Sequence, residues 1–156
     1  MAFSGTNDFI TGRAPVPFPA GLEVISQRFT LALTTGDLAL NTIGQIGILP
    51  AGCIPVDVHI DCDDVDSGAG AGVYQVGIWD GSGANLSVLT ADGGGAWGDT
   101  GAAVAVAFDK PITKLLNNMK KVASSGVDRK IGVKVTTAPT TAVAGTIGVT
   151  VFYRAN

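Results

Sequence analysis

Residues 36–66, GDLALNTIGQIGILPAGCIPVDVHIDCDDVD, place two alternating apolar segments either side of a Pro-Ala-Gly-Cys-Ile-Pro connector, Pro50 to Pro55. In the second segment Val56, Val58, Ile60 and Cys62 fall on one face and Asp57, His59 and Asp61 on the other. That is the period of two that a half-buried strand requires. The stretch predicts strand, tight loop, strand, and with it an antiparallel, all-β sandwich.

The text on either side has the same character. Val24 to Leu33 reads as a strand before it, and Val73 to Trp79 and Leu86 to Leu89 as strands after it. Asp80-Gly81-Ser82-Gly83 and Asp92-Gly93-Gly94-Gly95 supply turn residues that predict hairpin-like connections. Val104 to Phe108 is another short apolar run, and the clearest strands close the chain: Ile131, Val133 and Val135, then Ile147, Val149, Val151 and Tyr153. The count is about eight strands. One short helix is expected over Thr113 to Ala123, where Leu115, Leu116, Met119 and Val122 recur at helical spacing before Ser124-Ser125-Gly126.

Residues 1–22 differ from the rest. Pro15, Pro17 and Pro19 alternate with Val16 and Phe18, a composition that favours extended backbone. The division is therefore an extended Pro-rich arm, 1–22, and a β-sandwich domain, 23–156. Leaving Phe3, Phe9, Ile10, Val16 and Phe18 in water would cost about 1.5 to 3 kcal/mol for each side chain that could be buried. These five are the candidate interface residues, against their own sandwich or against a neighbour; the sequence leaves both open.

At 156 residues the chain is long enough to bury a core as one domain without staples. Charged residues are 15% and glycine 22 of 156 positions, against about 25% and about 7% in typical domains, so the surface is unusually apolar or small. No run of roughly 18 apolar residues exists, which argues against a membrane partner. The opening residues lack a basic segment followed by an apolar one, so the expectation is synthesis and retention in a cytoplasm-like compartment. Cys53 and Cys62 read as reduced packing residues rather than a disulfide framework. Net charge is −3, with Asp57, Asp61, Asp63, Asp64 and Asp66 in one segment and Lys110, Lys114, Lys120, Lys121, Arg129, Lys130 and Lys134 in another. That balance argues against nucleic acid, and it allows pairing between subunits where the two regions lie on different faces.

Few constellations suggest chemistry. His59 is the only histidine, and no Gly-x-Ser-x-Gly elbow or Cys-His signature accompanies it, so no catalytic residue is assigned. The run from Asp61 to Asp66 has the oxygen density of a calcium loop, but Val65 stands where an alternate ligand belongs and no closing Glu follows. It reads as a solvated strand-end loop, with no metal assigned. Gly68 to Gly72 lacks the Lys-Ser/Thr of a phosphate loop, and Asn85-Leu86-Ser87 matters only in a secretory chain. No cofactor is expected.

Three segments carry a resemblance: GDLALNTIGQIGILPAGCIPVDVHIDCDD, VYQVGIWDG and DRKIGVKVTTAPTTAVAGTIGVTVFYR. Together, over roughly residues 25 to 154, they resemble the capsid decoration, or cement, proteins of tailed bacteriophages. The motifs are Leu49 to Gly52, Asp63-Asp64, and Asp128 to Lys134. The resemblance implies a jelly-roll-like sandwich bound to the major capsid protein on the outside of an assembled head, and so a virion location without enzymatic activity. It also implies a homo-oligomer at symmetry-related sites, a trimer in preference to a dimer. An alternative is an adaptor or glycan-binding module of a head or tail appendage, using Trp79, Trp97 or Tyr74. An enzyme survives only if a site assembles around His59.

Overall fold

The computed structural model describes residues 1–68, 70, 72–101, 107–114 and 118–156. Its strands are β1 (Ile25–Leu33), β2 (Ile43–Leu49), β3 (Cys53–Cys62), β4 (Val73–Trp79), β5 (Gly98–Asp99), β6 (Phe108–Pro111), β7 (Thr113–Lys114), β8 (Arg129–Thr137) and β9 (Gly145–Ala155). One sheet runs β1-β9-β3-β6 and the other β2-β8-β4-β5-β7, with every pairing antiparallel. Successive long strands β1 to β4 alternate between the sheets, and the β8-β9 pair does the same, the wrapping of a jelly roll.

The sheets meet over a core built by alternation. Phe29, Leu31 and Leu33 of β1, Val58 and Ile60 of β3, Ile131, Val133 and Val135 of β8, and Ile147, Val149, Val151 and Tyr153 of β9 all point inward and are buried. The face assigned to β3 needs one correction. Val58, Ile60 and Cys62 are buried as expected, but Val56 is exposed, because a bulge between Pro55 and Asp57 reverses the alternation.

Two other segments depart from expectation. Residues 86–89 form no strand: Ser87 N donates to the Ile78 carbonyl at 2.7 Å, and the chain then enters a 3-10 turn, Thr90–Asp92. Gly77 and Gly132 are cross-strand partners and leave a bare strip on the outer face of their sheet. Leu86 fills it; a Cβ at Gly77 would lie 3.2 Å from its Cδ1 and one at Gly132 3.3 Å from its Cδ2. The expected helix is also reduced. Thr113–Lys114 is β7, residues 115–117 lie outside the described residues, and Met119–Lys121 makes one 3-10 turn, with Met119 and the following Val122 buried. Of the apolar run 104–108, only β6 from Phe108 onward falls within the described strands.

Candidate assembly surfaces

The arm lies along one flank of its own sandwich, where β1 and β2 are the sheet edges. Ala2 bridges Ile43 in parallel, with Phe3 N donating to the Ile43 carbonyl at 3.1 Å and Ile43 N to the Met1 carbonyl at 3.0 Å. The Asn7 side-chain amide donates to the Thr30 carbonyl on β1 at 2.9 Å and to the Ile46 carbonyl on β2 at 2.8 Å. One side chain thus ties the two sheets together and occupies acceptors that an open edge would expose. The Phe9 ring meets Phe29 edge-on, centroids 5.0 Å apart.

Asp37 fixes the start of the arm. Its carboxylate is buried and accepts from Ser4 N at 2.7 Å, Ser4 Oγ at 2.9 Å, and both Thr34 N and Thr34 Oγ1 at 2.8 Å. Burial works against its charge, but the bonds from Thr34 and Ser4 outweigh it and hold the pKa below the ordinary carboxylate value. Neither Asp37 nor Asn7 figures among the sequence candidates. A usable signal for the first was the run Thr34-Thr35-Gly36-Asp37, a threonine followed by an acid three residues on, which is the spacing of a capping turn. Nothing local marks Asn7.

Of the five arm candidates, Phe3, Phe9, Ile10 and Val16 are half-buried and packed against the core, whereas Phe18 is 58% exposed. Beyond Val16 the arm crosses the end of the sandwich where β1 and β8 begin and β2 and β4 finish. Tyr153 Oη donates to the Pro17 carbonyl there at 2.6 Å. Leu22, Val24, Val88, Leu89 and Val127 are exposed on segments that meet the same end, so the sandwich presents an apolar fringe with Phe18 in it.

The motif residues hold loops. Gly52 has φ +77°, the left-handed region that glycine enters without strain, and this lets Cys53 N turn back to the Pro50 carbonyl at 3.1 Å. Ala51 N donates to Asp128 Oδ1 at 2.8 Å, so the first motif is bonded to the start of the third. Asp63 Oδ2 accepts from Thr146 N at 2.7 Å, and Asp64 Oδ1 from Asp66 N at 3.3 Å. Asp66 corrects the expectation of a solvated loop. It is buried, and accepts from Gly68 N at 3.0 Å, Thr140 N at 2.9 Å and Thr141 N at 2.8 Å.

His59 lies on the outer face of β3, half-buried, its ring 5.6 Å from that of Phe152. It lines an open groove of about 570 Å³ with Arg28, Asp61, Asp63, Asp109 and Thr150. Arg28 Nε donates to Asp61 Oδ1 at 3.0 Å, and a second guanidinium nitrogen pairs with Asp61 Oδ2. Cys53 and Cys62 are buried free thiols; burial, and then Asp63, Asp61 and Asp64, push Cys62 up to about 12. Such a thiol is a poor nucleophile.

The aromatic residues of the glycan reading are poorly placed for stacking. Trp97 and Tyr74 are buried, and Trp97 Nε1 donates to the Asp92 carbonyl at 3.2 Å. Trp79 is half-buried with Lys130 Nζ 5.7 Å from its ring centroid.

No family model and no curated protein matches the chain. Among solved structures it is similar to a chain of the capsid of Ralstonia phage GP4, at 26% identity and a TM-score of 0.73, covering 96% of both chains. It shares its fold with a chain of the capsid asymmetric unit of cyanophage Pam1, at 19% identity and a TM-score of 0.52, covering 92% of both. In three dimensions the chain thus resembles phage head structural proteins over nearly its whole length.

Proposed function

We propose that this chain is a virion structural protein that decorates and stabilises the outer surface of a tailed-bacteriophage capsid, bound to the major capsid protein as a homo-oligomer. The observation that carries the reading is the full-length likeness to a chain of the Ralstonia phage GP4 capsid. The internal chemistry supports a structural role. The motif carboxylates Asp63, Asp64 and Asp128 are engaged with backbone amides, and the thiols are buried.

The apolar fringe around Phe18 supplies the surface that seats on the shell, and the arm, held by Asp37 and Asn7, presents Phe18 within it. Closed cyclic symmetry, a trimer in preference, multiplies modest contacts when the spacing matches the lattice. The test is to add purified protein to particles stripped of it and to image the result. Extra density at symmetry-related sites on the outer surface is expected; particles that bind none of the protein contradict the proposal.

A further inference from the structure

The outer face of the β1-β9-β3-β6 sheet is divided by charge along β3. Near the end of β3, Asp61, Asp63 and Asp109 surround Arg28, leaving two negative charges. Asp61 and Asp109 are direct cross-strand partners, a like-charge arrangement that costs stability unless something opposes it. Near the start of β3, where the 3-10 turn Met119–Lys121 packs beside it, Lys120 and Arg154 flank a groove of about 330 Å³ lined by Ile54, Pro55, Val56, Met119 and Val122, and bring two positive charges. Between the halves lie His59 and Phe152 with rings 5.6 Å apart, while Asp57 turns its Oδ1 to the Val58 amide at 2.8 Å.

We propose that this face is a two-fold contact between copies of the chain, with the Arg154 half of each seated on the Asp109 half of the other. Ile54 pairs with Arg154 and Asp61 with Asp109, so the two charged centres stand about 20 Å apart along β3, at roughly 3.3 Å per residue. A half-turn about an axis lying in the plane of the face, across the strands near the His59–Phe152 pair, exchanges the two ends of β3 and brings each charged end over the opposite one of the other copy. The patch is self-complementary, as a two-fold interface must be. Three strands at about 4.8 Å spacing over about 25 Å, with the four-residue β6 beside the end of β3, offer roughly 400 Å² per copy. That is less than the roughly 800 Å² per partner of a stable complex, so the contact is weak in dilute solution and strengthens where copies are held close together. Such contact between copies does not depend on the proposed placement on a capsid.

Sedimentation velocity over a wide concentration range tests it, using the full chain in whatever basal oligomer it forms. Concentration-dependent association of the wild type is expected. Arg154→Glu, Lys120→Glu and Asp109→Lys should each weaken that association about tenfold or more. An equimolar mixture of Arg154→Glu and Asp109→Lys should restore it, because both contacts in the mixed pair then join opposite charges. Absence of association in the wild type, insensitivity to all three reversals, or a mixture no better than either variant alone would overturn the proposal. Lys120 is exposed, so its variant keeps the test valid if the half-buried Arg154 position proves necessary for folding.

Discussion

Phe3 lies so close over Gly44 that a Cβ on the glycine would stand 2.5 Å from the Phe3 Cβ. Gly44 pairs with the buried Val133 and so faces the interior, where the arm enters between the sheets. Gly44→Ala should therefore expel Phe3 and loosen the arm, costing about 1 to 3 kcal/mol as overpacking does. Hydrogen exchange over residues 1–10 checks this: faster exchange there than in the wild type is expected, with β8 and β9 still protected.

Asp37 makes the same attachment sensitive to acid. Its folded pKa lies below the ordinary 3.8, so its stabilisation is fully present above that value and is lost as pH falls through the lower, folded one. Asp37→Asn should cost about 1 to 3 kcal/mol at pH 7, because Oδ2 accepts from Ser4 Oγ, Thr34 N and Thr34 Oγ1. Denaturant midpoints measured from pH 7 to pH 2 should begin to converge for the two proteins below about pH 4.

Leu86 is buried on the outside of a sheet rather than between sheets. Leu86→Ala should destabilise by about 2 to 3 kcal/mol, the lower part of the range for buried leucine, because the surface strip can be reached by solvent. Thermal melts give the size of the loss, and a change in Trp79 fluorescence would place it beside the Gly77–Gly132 strip.

The thiols offer a probe of the intact fold. Burial raises both, Cys62 to about 12, so native protein at pH 8 should react with a thiol reagent far more slowly than unfolded protein. Colorimetric titration in buffer and in denaturant makes the comparison.

Much of the sandwich is legible in the sequence because its signals are local. β4 begins and ends where alternation places it, at Val73–Trp79. The Leu-Pro-Ala-Gly turn follows from the left-handed backbone at Gly52. Val56 lies on the face opposite to the one its alternation predicts, because a bulge adds a residue without altering the composition of the strand. Residues 86–89 look like a strand, and only the distant pairing of Gly77 with Gly132 makes a seat for Leu86 outside the sheet. Prolines and phenylalanines mark the arm. Its path depends on Gly44, Asn7 and Asp37, contacts made across long stretches of sequence that no periodicity records. Deleting residues 1–22 would consequently disturb the fold as well as any tether, whereas Phe18→Ser alters an exposed position alone.

Stabilisation of a capsid is measured most directly by heat. Particles carrying the protein and particles stripped of it are warmed in parallel, and genome release is followed with a nucleic-acid dye. A decoration protein that stabilises the shell raises the temperature of release, and adding purified protein back to stripped particles restores the difference. Release at the same temperature from both kinds of particle would show that stabilising the shell is not its function.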